Sequence, residues 1–246
     1  MKNLKIDINV DLGEGIGNES QLMPYISSCN IACGGHTGDA NTMRKVVKLA
    51  KKHNVKIGAH PSFPDKENFG RIPMEIPSVV LFKSIKKQIR DLLSVLKEEH
   101  ARLHHIKPHG ALYNLATVDE KTAKIIIEVI KCIALPVKLY VPYNSVIANV
   151  AIQNNIPIVY EAFADRNYND DLTLVSRDKS NAIIDNDVAL FNHIYRMVST
   201  EKVKAISGSE IAIKANTFCI HGDNLEAVNL VKSLRINLET KGIHIS

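Results

Sequence analysis

From residue 4 to residue 12 apolar and polar positions alternate, with Leu4, Ile6, Ile8, Val10 and Leu12 on one side and Lys5, Asp7, Asn9 and Asp11 on the other. A period of two predicts a β-strand, here with one unusually polar face. A second strand is expected over 28–33. It leads through a glycine-rich turn into a helix in which Met43, Val46, Val47 and Ala50 recur at helical spacing and Asp39 is placed to cap the first turn. A strand over 55–59 follows. Beyond a long proline-containing loop, Leu81, Ile85, Ile89, Leu92, Leu93 and Leu96 mark one face of a long amphipathic helix over 77–99, opened by Pro77. Further strands are expected near 105–108, 138–142, 158–163 and 218–220, and helices near 119–133, 144–154, 187–199 and 224–241. Residues 205–215 alternate as well, and fit either an added strand or a loop.

Seven or so strands, most followed by a helix, imply an α/β fold with a parallel sheet covered by helices, either closed into a barrel or open and doubly wound. A (β/α) barrel is favoured by what lies at the C-terminal strand ends, where the segments DLGEG, CGGH, GAHP, KPHG, VPY, EAFADR and IHGD hold nearly all the ionisable residues of the strands. In parallel α/β folds those ends build the active site. A length of 246 residues with 45% hydrophobic content is compatible with a single barrel domain over 1–246.

No apolar stretch approaches the roughly 18–20 residues that a membrane span requires, and the opening residues alternate instead of forming a signal-peptide core; a cytoplasmic protein is expected. The net charge of +5 is spread over helix faces without aromatic platforms, which argues against a nucleic-acid partner. Cys29, Cys33, Cys132 and Cys219 form no CxxC pair and read as buried free thiols.

Four of the ten histidines, His36, His60, His109 and His221, sit at strand ends, whereas His53, His100, His193 and His244 fall in helical or terminal segments and read as surface residues. Imidazoles clustered with carboxylates can hold a divalent metal, or can act as general acid and base. Spacing does not choose between these, because the groups come from different strands. Asp11 and Glu14, the latter in a Gly-rich turn, are the acidic candidates. Lys107, in a strand end beside His109, suggests an anionic partner or a structural Asp. The long segment carrying Asp165, Arg166, Asp170, Asp171 and Arg177 reads as a lid. Neither a GxxxxGK[ST] loop nor a GxGxxG fingerprint occurs.

The segments DINVDLGEGIG, NIACGGHTGD, IGAHPSFPDKENFGR, IKPHGALYN, EAFADRNY and CIHGDN, in this order between about residues 6 and 224, together resemble the signature blocks of the LamB/YcsF family, the A subunits of 5-oxoprolinase. The resemblance implies a (β/α) barrel of about seven parallel strands, akin to the glycoside hydrolase/deacetylase fold. It also implies a role in ATP-dependent cleavage of 5-oxo-L-proline to L-glutamate, together with subunits B and C. Its blocks fall on Asp11, Glu14, His36, Asp39, His60, Pro61, Arg71, Lys107, His109, Asp165, Arg166, His221 and Asp223. Among these, Asp11, Glu14, His36, His60 and His109 are the expected catalytic groups; Lys107, Arg71, Asp165, Arg166, His221 and Asp223 are expected to bind substrate or phosphate. ATP is the implied cofactor, and a divalent metal is admitted. Gly35, Ser62 and Asp171 depart from the family's usual aromatic, Gly and Gly. Two rival readings are a metal-dependent deacetylase or amide hydrolase and a non-catalytic binding subunit.

Overall fold

The computed structural model describes residues 4–222 and 226–246. The alternating N-terminal segment is β1 (Leu4–Leu12). It is followed by α1 (Glu19–Leu22), a short 3-10 turn, β2 (Ser28–Ala32), α2 (Ala40–His53), β3 (Lys56–His60), α3 (Ser78–Glu98) and β4 (Leu103–Ile106). The chain continues through α4 (Gly110–Ala116), α5 (Glu120–Ile133), β5 (Lys138–Pro142), α6 (Val146–Gln153), β6 (Ile158–Phe163) and α7 (Asp187–Thr200). It ends with β7 (Lys202–Lys204), β8 (Glu210–Ala212), β9 (Thr217–Ile220), α8 (Ala227–Thr240) and β10 (Ile243–Ile245).

Strands β1 to β6 and β9 close into a barrel of seven parallel strands, because β9 pairs with both β6 and β1. Closure leaves no strand edge open among the seven. β1 is long enough to serve two neighbours. Its residues 7–10 pair with β9, and its residues 4–6 pair with β10, which extends the sheet at the N-terminal rim. Residues 202–212 form a small antiparallel hairpin outside the barrel, β7 with β8, so the alternation over 205–215 is part strand and part turn.

The helices expected from the apolar period form near their predicted positions, and Asp39 caps α2 as expected. Asp39 accepts from the Thr42 amide at 2.7 Å, Asp119 from the Thr122 amide at 2.7 Å, and Asn186 from the Val188 and Ala189 amides. Such caps each contribute about 1 kcal/mol. α2 and α5 end on residues with left-handed backbone, Asn54 and Ala134. The buried stripe of α3, comprising Leu81, Ile85, Ile89, Leu92, Val95 and Leu96, packs into one continuous core with Ile8, Val10, Ile31 and Ile57 of the strands. At about 1.5–3 kcal/mol for each fully buried aliphatic side chain, this shell between strands and helices is the main source of stability. It leaves the inside of the barrel free to be polar.

No described helix is long and apolar enough to cross a membrane. All four cysteines are free, and Cys29, Cys33 and Cys219 are buried as expected; Cys132 is exposed, because it lies on the solvent face of α5.

Candidate functional site

The polar face of β1 points into the barrel and is satisfied in layers. At the N-terminal end Asp7 accepts from Ser28 at 2.5 Å and Thr217 at 2.7 Å, and Lys56 approaches it at 3.2 Å. One layer up, Asn9 donates to Glu161 at 2.9 Å and to Thr217 at 2.7 Å, while its carbonyl accepts from Asn30 at 2.8 Å. His105 closes this layer, with Nε2 2.7 Å from Asn30 Oδ1 and its ring stacked on Tyr140 at 3.9 Å. An amide oxygen only accepts, so Nε2 of His105 carries the proton. Burial, reinforced by neighbouring His104 and Lys107, holds His105 well below the usual imidazole range. The ring fits only because position 58 is glycine: a Cβ there would lie 2.1 Å from His105 Nε2.

The uppermost layer is the candidate site. Lys107, 2% exposed, lies 3.1 Å from both Asp11 Oδ1 and Glu161 Oε1, and 2.9 Å from Cys219 Sγ. Burial disfavours its charge, but Asp11, Cys219 and Glu161 more than offset this and hold the ammonium well above the usual lysine range. Burial also opposes ionisation of Asp11, yet His60 and Lys107 together hold its carboxyl well below the usual range. The expected anionic partner of Lys107 is therefore internal.

His60 directs Nδ1 to the Lys107 carbonyl at 2.8 Å, and its Nε2 lies 3.3 Å from Asp11 Oδ2 and 3.0 Å from His109 Nδ1. His109 in turn directs Nε2 to the Phe69 carbonyl at 3.0 Å. Glu14 reaches the same point because Gly13, at a φ of +77° that glycine tolerates without strain, turns the chain back over the barrel mouth. Glu14 accepts from His36 Nε2 at 2.9 Å and lies 3.4 Å from His109 Nδ1. The His36 ring stacks on His109 at 3.7 Å, and its Nδ1 is buried without a partner. Burial pushes both His36 and His109 down from the usual imidazole range; the neighbouring His60 acts in the same direction on each.

Across the mouth, Asp165 receives the His221 backbone amide at 2.9 Å and its ring Nδ1 at 3.0 Å. Burial would raise the Asp165 carboxyl, but His221 and these hydrogen bonds hold it below the usual range. The arrangement fixes Nδ1 as the donor and leaves Nε2 able to take or give a proton, a carboxylate-oriented imidazole. His221 lines a cavity of about 820 Å³ together with Asp11, Glu14, His60, Lys107 and His109, and the opposite wall is the segment 171–178. The segment expected to act as a lid therefore borders the site. Its base is secured by Arg166, which donates to the Val175 carbonyl at 2.6 Å and the Ala182 carbonyl at 3.3 Å. Asp171, one of the departures from the family's usual residues, turns the loop by accepting from the Thr173 amide at 2.9 Å.

Asp11, Glu14, His36, His60, Lys107 and His109 thus form one cluster, and His221, backed by Asp165, lines the same cavity. Arg71 lies at the rim, its guanidinium 5.0 Å from the Phe69 ring centre. Asp39 is apart from the site as a helix cap, and Asp223 lies outside the described residues. Glu161 and Tyr113 are site residues that sequence reasoning missed: Tyr113 donates to Glu161 Oε2 at 2.7 Å, and both line the cavity. The signal for Glu161 was present as a lone carboxylate within an otherwise apolar strand. His193 is not a surface residue. It packs in a half-buried position against Tyr168, its Nε2 is buried without a partner, and burial lowers its pKa to about 4.

The sequence profile of the LamB/YcsF family matches residues 6–246. The chain belongs to the LamB/YcsF family. It is similar to two proteins named as the A subunit of 5-oxoprolinase. The one from Histophilus somni (strain 129Pt) is 40% identical over 242 residues, covering 98% of each chain. The one from Bacillus cereus (strain AH187) is 40% identical over 246 residues, covering 98% of this chain and 97% of that one. Among solved structures, this LamB/YcsF member superposes on the lactam utilization protein from Thermus thermophilus with a TM-score of 0.92 at 35% identity, over 98% of this chain and 99% of that one. A family 4 carbohydrate esterase from Streptomyces lividans aligns over 99% of this chain and 92% of its own, with a TM-score of 0.51 at 10% identity, a likeness of fold alone.

Proposed function

We propose that the chain is the A subunit of an ATP-dependent 5-oxoprolinase, a hydrolase that opens the lactam of 5-oxo-L-proline to L-glutamate as ATP becomes ADP and phosphate, together with subunits B and C. The observation that carries this reading is 40% identity, along nearly the whole chain, to proteins of that name. The cavity is consistent with it. An unstrained lactam resists water because its carbonyl is resonance-stabilised and its nitrogen leaves poorly. Transfer of a phosphoryl group from ATP to the amide oxygen exposes the carbon to attack: water adds, the C–N bond breaks as the ring nitrogen takes a proton, and the acyl phosphate so formed is hydrolysed by a second water to glutamate and phosphate.

On this reading the residues of the chain supply proton transfer and charge. His221, oriented by Asp165, takes a proton from the attacking water or delivers one to the ring nitrogen. His60 and His109, each fixed by a backbone carbonyl at one ring nitrogen, turn the other toward the same space. Arg71 and Arg177, which both line the cavity, are the cations assigned to a substrate carboxylate or phosphate, while Lys107 is held by Asp11 and Glu161 and Arg166 anchors the lid. The cavity is far larger than a five-membered lactam with one carboxylate, which leaves room for a phosphorylated intermediate.

The test is formation of glutamate and ADP from 5-oxoproline and ATP by the purified chain, alone and mixed with its candidate B and C subunits. Turnover only in the mixture, dependent on ATP and lowered at least about 100-fold by His221→Asn or His60→Asn, is the expected result. No glutamate from a mixture shown to assemble would overturn the reading.

A further inference from the structure

Two backbone carbonyls decide where the protons of the two central imidazoles sit. A carbonyl oxygen accepts but never donates, so His60 carries its proton on Nδ1, 2.8 Å from Lys107 O, and His109 carries its proton on Nε2, 3.0 Å from Phe69 O. With both rings neutral, as metal binding requires, the two remaining nitrogens present lone pairs to each other at 3.0 Å. Asp11 Oδ2 stands 3.3 Å from His60 Nε2, and Glu14 Oε1 stands 3.4 Å from His109 Nδ1 and 3.9 Å from His60 Nε2. In that state acceptors alone converge on one point. Lys107 does not fill it, because its ammonium is bonded to the other oxygen of Asp11.

We propose that Asp11, His60 and His109 bind one divalent transition-metal ion of the zinc or cobalt type. Their spacing suits it. Ligands about 2.1 Å from a common ion at angles of 90–110° stand roughly 3.0–3.4 Å from one another, and the His60–His109 and His60–Asp11 separations are 3.0 and 3.3 Å. The donor set, two imidazoles and a carboxylate, suits a borderline transition ion better than magnesium or calcium, which prefer all-oxygen sites. Each ligand is already oriented from behind, His60 and His109 by carbonyls and Asp11 by Lys107 and Asn30, as ligands of metal sites are. His36 is not a ligand in this arrangement. Its Nε2 must donate to Glu14, so it presents no lone pair there and instead packs against the face of His109. Since Asp11, His60, His109 and Glu14 all line the cavity, the ion would keep one side open to a substrate.

The experiment uses the whole chain, stripped with chelator and dialysed, and titrated with zinc or cobalt(II) chloride by calorimetry, metal analysis and visible absorption. The expected result is one equivalent bound, with the intense visible bands of low-coordinate cobalt. Asp11→Asn, His60→Asn and His109→Asn should each weaken binding about 100-fold or more, and His244→Gln should leave it unchanged. Circular dichroism checks that each variant is folded; a rise in the wild-type Tm on adding zinc gives a measurement independent of the variants. Three results would overturn the proposal: no near-stoichiometric binding by wild type, which would leave a shared proton between the imidazoles; undiminished binding in the three variants; or binding lost only in Glu14→Gln and His36→Asn. Neither lactam nor ATP enters the assay, so this site can fail while the lactam reading stands, and the reverse.

Discussion

Replacing Lys107 with Met keeps an unbranched side chain of similar length and removes only the ammonium. What remains is a pair of carboxylates, Asp11 and Glu161, each of which had Nζ at 3.1 Å. Both keep other partners: Asn30 stays on Asp11 at 2.7 Å, and Asn9 and Tyr113 stay on Glu161 at 2.9 and 2.7 Å. Those are neutral donors, which do not balance the two negative charges. Removing one member of a buried ion group costs about 3–5 kcal/mol, because the orphaned charge stays out of water. For a domain of this size that corresponds to a fall in Tm of roughly 6–20 °C. The same reasoning predicts a rescue: Lys107→Met combined with Glu161→Gln should be more stable than Lys107→Met alone by about 1–3 kcal/mol, because one orphaned charge is gone while the Gln oxygen can still accept from Asn9 and its NH2 can donate to the Tyr113 hydroxyl. Urea unfolding followed by circular dichroism measures all four proteins of the cycle. A cost below about 1 kcal/mol for Lys107→Met, or strictly additive effects in the double variant, would refute the reading of Lys107 as the counter-ion of the barrel interior.

Gly58→Ala places a methyl 2.1 Å from His105 Nε2 and should cost about 1–3 kcal/mol by displacing that ring from Tyr140 and Asn30, read as a lower urea midpoint at unchanged slope. Arg166→Met removes both ties to the loop carbonyls and should make the 166–183 segment the first site of limited proteolysis, with a raised KM for substrate; a cleavage rate equal to wild type would rule out the anchoring role. His193 is held neutral, at a pKa of about 4 against an ordinary 6.5. Because the unfolded chain binds the proton first, its contribution is intact above about pH 6.5 and is lost as pH falls toward 4, by about 2 kcal/mol at pH 5. His193→Gln should therefore lose less stability than wild type between pH 7.5 and pH 5, and equal losses would show that this ring is not the one titrating.

The barrel was legible because two periods carry it. The alternation in residues 4–12 and the helical spacing of Leu81, Ile85, Ile89, Leu92 and Leu96 each survive folding unchanged, since the apolar side of every element faces the same shell. Short elements were not legible. α4 spans Gly110–Ala116 and β10 only Ile243–Ile245, too few residues to show a period, and β10 exists because the lower half of β1 offers a free neighbour. Strand-end position identified Asp11, His60, Lys107, His109 and His221, because in a parallel barrel that position alone places a side chain at the mouth. It could not find Glu161 or Tyr113. Glu161 sits inside a strand, and Tyr113 on the unrecognised α4, so each reaches the site only through closure of the barrel. Nor could it tell that Arg166 faces its own loop, which depends on the fold of residues 166–183.

The polar interior also explains how one fold satisfies two demands that usually conflict. A buried charge is costly unless every group around it is paired, and an enzyme site needs groups left unpaired. Here the two are separated by height. The lower layers, Asp7 with Ser28, Thr217 and Lys56, then Asn9 with Asn30, Glu161 and His105, form a hydrogen-bonded column through the barrel. That column fixes the positions of Asp11 and Lys107 above it. At the mouth it ends in the facing nitrogens of His60 and His109 beside Asp11 and Glu14. Within the barrel, the groups open to a ligand are thus confined to the level where the cavity lets substrate or an ion complete them.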